Sequence, residues 1–300
     1  MDIVTGAFGY IGSYIARELL SRGIRVRTIT THYQRKHPLS ETIEAFPYSF
    51  DNPRDLVSAL RGAEVLYNTY WIRFPWKGNT YEEAIRNTKL LFDCAKAAGI
   101  KKIVHISVSN ASLESALPYY NGKAQQEEIL KETSIPYSII RPTLVFGMGD
   151  ILVNNIAWLM RRFPIFPVFD GGRYRLQPVF VEDLARMAVD SANESSVGCF
   201  DSAGPEILAF KDLLQIMVES LGIKSRLVWL PSKLGILLGR SIGLATGDIL
   251  LTTNELRGLM DEYLISKEPP RGHYLFSKWL RDNKDEIGRQ YASELSRHYS

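Results

Sequence analysis

Tyr119 and Lys123 stand four residues apart in the run Pro118-Tyr119-Tyr120-Asn121-Gly122-Lys123. On a helix, that spacing puts both side chains on one face. A lysine ammonium beside a phenol favours the phenolate and draws the tyrosine down from about 10 toward neutrality. Such a phenol can give or take a proton near pH 7, and the ammonium can also hold a ribose. The same spacing also describes an ordinary surface pair. Upstream, His105-Ile106-Ser107-Val108-Ser109-Asn110 ends an apolar run. Strand alternation sends Ser107 and Ser109 to one face and Val108 to the other. Either hydroxyl could bind a substrate carbonyl or a developing oxyanion, and Ser109 is preferred because it lies further toward the carboxyl edge. The competing reading is that both serines cap the following turn.

A second constellation concerns binding. Thr5-Gly6-Ala7-Phe8-Gly9-Tyr10-Ile11-Gly12 lies between a short apolar run and an amphipathic one. A tight turn lacking Cβ atoms lets backbone amides approach a diphosphate, and the helix behind it adds positive partial charge. Gly6, Gly9 and Gly12 are evenly spaced, which departs from the GxGxxG pattern. After the next apolar run come Thr31, His32, Arg35 and Lys36, with no carboxylate among them. Hydroxyls and cations suit the 2′-phosphate of NADP, whereas NAD sites usually present an Asp or Glu to the ribose. NADP is therefore the preferred cofactor and NAD the alternative; a solvated basic loop competes for Arg35 and Lys36. Asp51 is placed to meet the adenine amino group or to cap a helix.

These residues need a scaffold, and the first half of the chain supplies its pattern. Short Val- and Ile-rich runs predict strands at Asp2–Thr5, Arg25–Thr30, Glu44–Tyr48, Val65–Thr69, Lys102–Ser107 and Tyr137–Arg141. Amphipathic stretches between them predict helices starting near Ile11, Asn52, Tyr81 and Gly122. Alternation of this kind implies an α/β fold with a doubly wound parallel sheet and a ligand at the strands' carboxyl ends. Residues 1–165 are expected to form the nucleotide-binding domain, with segment 175–200 completing its sheet through a strand at Gln177–Val181 and a helix at Glu182–Asn193. Residues 166–300 are expected to form a smaller, mainly helical substrate-binding portion that closes a cleft and ends in a charged helix around Trp279–Tyr299.

Composition narrows the function classes. Hydrophobic residues make up 45% and charged residues 23% of the 300, an ordinary globular balance that excludes collagen-like, coiled-coil and disordered chains. The formal charge of +3 lacks the basic bias of a nucleic-acid binder. Cys94 and Cys199 cannot build a disulfide scaffold or a four-cysteine zinc site, and no histidine is assigned to a metal. The start, Met1-Asp2-Ile3-Val4, has no signal-peptide character, so a cytoplasmic location is expected. Leu234–Leu251 approaches membrane-span length, but Arg240, Asp248 and four glycines argue for a buried or interfacial segment. No integral span is expected, and peripheral membrane contact stays open, as does the choice between monomer and homodimer.

Taken together, the chain resembles the short-chain dehydrogenase/reductase superfamily, in its extended and atypical branch of NAD(P)-dependent epimerase/dehydratase-like proteins. The resemblance rests on the Thr5–Gly12 turn, Tyr119 with Lys123, Arg141-Pro142-Thr143 with Phe146-Gly147, Gln177-Pro178-Val179-Phe180-Val181-Glu182-Asp183, and Gly204-Pro205. The last segments are most similar to atypical members related to the nucleotide-binding accessory subunit of respiratory complex I and to nitrogen-metabolite-repression-type sensors. The resemblance implies a Rossmann-type fold in which Gly6, Phe8, Gly9, Tyr10 and Ile11 meet the pyrophosphate. Asn68, Thr69 and Tyr70 would border the cofactor, although they replace the small residues usual there. It also implies that Tyr119 and Lys123 are the acid/base pair and that Pro142, Thr143 and Val145 lie along the nicotinamide. Many members keep an asparagine where Asn87 stands, and extended members often have Ser or Thr where Val108 stands.

Tyr70-Trp71-Ile72-Arg73-Phe74-Pro75-Trp76 should leave the fourth strand at the cofactor edge. Trp71 and Arg73 could wall a pocket for a flat or anionic small molecule, and Arg175 could bind an anionic group; a packed loop and a solvated loop are the competing readings. The expected activity is hydride transfer at a carbonyl or hydroxyl carbon by an NAD(P)-dependent oxidoreductase. A sugar-nucleotide epimerase or dehydratase uses the same parts, and a non-catalytic nucleotide-sensing or assembly protein needs only the binding half.

Overall fold

The computed structural model describes residues 1–193, 198–231, 248–249 and 252–298. Most of segment 234–251 therefore lies outside the described residues. The chain divides into two compact units: Met1–Pro142 with Val181–Ser202, and Thr143–Phe180 with Ala203–Ser300. Segment 143–165, which the sequence reading assigned to the nucleotide-binding portion, groups with the second unit.

The first unit is built on seven strands: β1 (Asp2–Thr5), β2 (Val26–Ile29), β3 (Glu44–Phe46), β4 (Val65–Asn68), β5 (Lys102–Ile106), β6 (Tyr137–Pro142) and β11 (Gly198–Ser202). Their order is β11-β6-β5-β4-β1-β2-β3, and every neighbouring pair is parallel. The order reverses beside β1, which is where an open α/β sheet presents a crevice at its carboxyl edge. Helices α1 (Tyr10–Ser21), α2 (Pro53–Leu60), α3 (Tyr81–Ala98), α4 (Pro118–Lys131) and α6 (Val181–Asn193) supply the crossovers. Buried Ile3, Ile29, Leu56, Leu60, Leu66, Leu91, Phe92 and Ile103 fill one layer between sheet and helices. Local signals set the helix ends. The Thr80 hydroxyl accepts the Glu83 amide at 3.2 Å, and Gly99, at φ 82°, stops α3 in the left-handed conformation.

Three expectations are corrected. The strand at Pro178–Phe180 (β10) does not join the main sheet: it pairs with β7 (Leu144–Phe146), and β11 takes the edge place instead. Helix α4 starts at Pro118, four residues before Gly122, because a proline is compatible with the first helical turn. Tyr119 is therefore itself helical. The charged helix expected around Trp279–Tyr299 is two short helices, Phe276–Asp282 and Glu294–His298. Gly288 interrupts it at φ 71°, packed so closely on α5 (Leu152–Arg162) that a Cβ there would lie 2.7 Å from the Ala157 carbonyl carbon. The second unit is mainly helical, as expected, with short strand pairs added. Besides α5, α7 (Phe210–Leu221), α8 (Thr253–Met260) and the two terminal helices, it holds the parallel pairs β7/β10 and β8/β13 (Ile165–Phe169 with Arg226–Leu230) and the antiparallel pair β9/β12 (Arg175–Leu176 with Leu208–Ala209).

The core of the second unit gathers Phe146, Met160, Leu214, Met217, Phe276 and Trp279. Gly204 sits against β10 with no room to spare: a Cβ there would lie 1.8 Å from the Pro178 carbonyl oxygen. Since backbone cannot yield as a flexible side chain does, Gly204→Ala should cost on the order of 3 kcal/mol. Thermal denaturation should show a fall of roughly 6 °C or more, and an unchanged midpoint would refute this packing.

Candidate functional site

The glycine turn has the form a diphosphate requires. Gly6 adopts φ 65°, its amide donates to the Ile29 carbonyl at 2.9 Å, and its own carbonyl accepts the Gly9 amide at 2.8 Å. A Cβ on Gly12 would lie 2.3 Å from that carbonyl, so helix and loop approach as closely as they do only because residue 12 is glycine. Helix α1 starts with no side-chain cap and no acidic residue in its first turn. An uncapped, acid-free helix start is the environment that an anion fits.

Around the loop, the expected residues divide. Phe8 is buried and stacks on His37 at 5.0 Å. Burial lowers the His37 imidazole below its ordinary value, and the cations Arg17 and Arg35 lower it further. Arg35 therefore belongs to a basic group with Arg17 and His37, neither of which the sequence reading found. Thr31 is exposed, and the amide of half-buried His32 donates to the Thr30 hydroxyl at 3.3 Å. Asp51 is exposed immediately before α2.

The end of β4 is taken up by internal bonding. Asn68 is fully buried; its oxygen accepts the Thr5 hydroxyl at 3.1 Å and its amide nitrogen lies 3.0 Å from His105 Nδ1. The Thr69 amide donates to the Thr5 hydroxyl at 2.7 Å, and the Thr69 hydroxyl to the Thr5 carbonyl at 2.5 Å. The Asn68 and Thr69 side chains thus clamp β4 to β1. Tyr70 packs on Tyr48 and Phe50 with centroids 5.0 and 5.3 Å away, and its hydroxyl accepts Asn87 at 3.0 Å. Desolvation raises both Tyr48 and Tyr70 above the ordinary tyrosine value, so these phenols stay protonated. No spacing in the sequence announces the Tyr48 and Phe50 contribution.

Three expected residues converge above β5. The Trp71 ring stacks on Tyr81 at 5.5 Å, meets Tyr119 edge-on at 6.1 Å, and lies 5.2 Å from the Lys123 ammonium. Gly122 makes the approach possible, because a Cβ there would lie 2.6 Å from the indole. The buried Trp71 indole N–H has no hydrogen-bond partner among the described residues. Lys123 is only 3% exposed and donates to the Ile106 carbonyl at 2.8 Å. Desolvation pulls its ammonium down to about 7, with Glu127 pulling the other way. Burial thus makes the charge of Lys123 conditional on pH.

The two serines differ. The β5–β6 ladder continues past Ile106, with the Ser107 amide donating to Ile140 at 2.7 Å and the Ser109 amide to Pro142 at 2.9 Å, so both hydroxyls share a face. The Ser107 hydroxyl donates to Glu127 at 2.5 Å. Ser109 lies two residues further toward the carboxyl edge and is fully buried. Arg73 holds its guanidinium 5.6 Å from the Phe74 ring, and its carbonyl accepts the Tyr81 hydroxyl at 2.9 Å.

The remaining candidates fall elsewhere. Pro142 ends β6 in the first unit, while Thr143 and Val145 belong to the second, where the Thr143 hydroxyl donates to the Gln177 carbonyl at 2.5 Å. Arg175, also in the second unit, forks onto Glu262 at 3.0 and 2.7 Å, which gives its charge a partner already. Among the described residues, no helix is long and apolar enough to cross a membrane and no His/Cys/Asp/Glu group could hold a metal ion.

The parallel sheet and the glycine turn are those of a nucleotide-binding fold, and residues 6–146 match the family model described as NAD(P)H-binding. The sequence relatives are in keeping with the resemblance to the extended branch of the short-chain dehydrogenase/reductase superfamily. The chain is 25% identical over 240 residues to the mitochondrial NADH dehydrogenase (ubiquinone) 1 alpha subcomplex subunit 9 of Arabidopsis thaliana, covering 76% of this chain and 60% of that one. It is 26% identical over 236 residues to the ceramide reductase of Caulobacter vibrioides, covering 76% and 73% respectively. Among solved structures, the NADPH-dependent quinone oxidoreductase of Escherichia coli, complexed with NADPH, superposes with a TM-score of 0.73 at 19% identity, over 89% of this chain and 92% of that one. That likeness is one of fold.

Proposed function

We propose that the protein is an NADP-dependent oxidoreductase that moves hydride between the nicotinamide and a carbonyl or hydroxyl carbon of a small molecule. The observation that carries this reading is the convergence of Tyr119 and Lys123 on Trp71 in the same unit as a glycine turn fit for a diphosphate. The bound dinucleotide supplies or accepts the hydride. The amides at the start of α1 hold its diphosphate, and Arg35, with Arg17 nearby, meets the 2′-phosphate. Tyr119 gives a proton to the carbonyl oxygen as the alcohol forms, Lys123 in its charged form favours the phenolate left behind, and the Ser109 hydroxyl steadies the oxygen. The indole N–H of Trp71 is a buried donor for a second acceptor on the substrate.

Two measurements test this. NADPH deuterated at C4 should pass its label to the product when carbonyl and quinone acceptors are screened; products that never carry deuterium would defeat the reading. Arg35→Ala should weaken NADP binding about tenfold while NAD binding stays within twofold, since one charge-assisted bond to the phosphate is lost. Equal losses for the two dinucleotides would remove the preference for NADP.

A second reading has its own support. Lys123 already donates to a backbone carbonyl and holds its charge weakly near neutral pH, which suits a nucleotide-binding sensor or assembly protein without turnover. An epimerase or dehydratase would share the oxidoreductase's residues but retain its dinucleotide through purification.

A further inference from the structure

Glu127 is 1% exposed, one helical turn beyond Lys123 on α4. Its carboxylate accepts three bonds from two strands. Ser107 Oγ donates to Oε1 at 2.5 Å, Arg141 Nε donates to Oε1 at 2.9 Å, and Arg141 Nη2 donates to Oε2. A carboxylate buried this deeply needs its lone pairs satisfied, and the forked guanidinium with the Ser107 hydroxyl does that. Glu127 and Arg141 thus form a buried ion pair. The other neighbour of Glu127, along the helix, is Lys123.

The groups facing Lys123 can be named from each element. From β5 come the Ile106 carbonyl, which accepts its proton, and His105, an imidazole held neutral by burial. From the segment after β4 comes the Trp71 ring, and α4 itself supplies Tyr119 and Glu127. Arg141 of β6 acts only through Glu127, whose charge it partly offsets. Among the described residues, Glu127 is thus the carboxylate pulling on the lysine. The same carboxylate also engages the Ser107 hydroxyl at the end of β5.

We propose that Glu127, clamped by Arg141 and Ser107, is a positioning residue that sustains the positive charge of Lys123. The proposal rests on the Tyr119–Lys123 reading given above, but its test does not require turnover. Lysine labelled with 13C at Cε reports the ionisation of each ammonium, and Lys123→Met assigns the resonance. In the unaltered protein the Lys123 signal should titrate near pH 7; in Glu127→Gln the midpoint should fall by at least one pH unit. An unchanged midpoint overturns the proposal.

Glu127→Gln leaves Arg141 half-buried without its partner and can fail to fold. Glu127→Gln/Arg141→Met removes the stranded guanidinium, and a smaller fall in the same direction is expected in it, because the offsetting cation is lost too. A midpoint unchanged or raised in that double variant overturns the proposal equally. Where turnover is measurable, the basic limb of its pH profile should move in parallel with the signal, which a purely structural role would not produce. If Tyr119→Phe leaves turnover intact while the lysine titration still shifts, the catalytic reading fails and the electrostatic role of Glu127 stands.

Discussion

Tyr119→Phe should lower kcat by about 10²–10⁴-fold, the range that a positioned general acid or base contributes. NADPH affinity should stay within twofold. The substitution removes one hydroxyl and leaves the ring, so the edge contacts with Trp71 and Tyr81 persist. Loss of kcat with affinity retained is the pattern of an interaction made in the transition state. Turnover within threefold of the unaltered protein would show that the phenol carries no proton in the reaction. Loss of nucleotide binding in parallel would instead assign Tyr119 a place in the binding surface.

Lys123→Met should abolish turnover and yet stabilise the fold, most strongly in mild acid. A lysine titrates at 10.5 in an open chain, whereas burial draws Lys123 down to about 7 in the folded protein. Between those values the unfolded chain binds the extra proton, so the folded state gains stability as pH rises through that window and is weakest below about 7. Methionine has nearly the same shape and no charge to desolvate. The gain should reach on the order of 5 kcal/mol at pH 6 and be about 3 kcal/mol smaller at pH 9. Denaturant unfolding at the two pH values measures it. A gain independent of pH, or a loss at pH 6, would mean that the ammonium is better solvated than its position under Trp71 implies.

The parallel core was legible because its information is local. Strands such as Asp2–Thr5 read as apolar runs, and the glycine turn between β1 and α1 declares a backbone that no side chain could enter. Tyr119, Lys123 and Trp71 could be named for the same reason, and the structure brings them together. What escaped the sequence depends on contacts between distant segments. The strand at Pro178–Phe180 looks like a sheet strand from its composition, but its partner Leu144–Phe146 is chosen by tertiary pairing. Likewise Tyr48 reaches Tyr70, and Glu127 reaches Arg141, across gaps that no periodicity spans. Glu127 alone left a trace, since it follows Lys123 at helical spacing. Arg175, which the sequence offers for an anionic group, is met by Glu262 from a segment that no spacing points to.

Titration calorimetry of the unaltered chain with NADPH, repeated with NADH and with Gly12→Ala, addresses the loop directly. One site per chain is expected, tighter for NADPH than for NADH. The alanine Cβ, built 2.3 Å from the Gly6 carbonyl, should weaken both at least a hundredfold. No heat with either nucleotide, or binding that Gly12→Ala leaves untouched, would contradict a diphosphate held by the turn between β1 and α1.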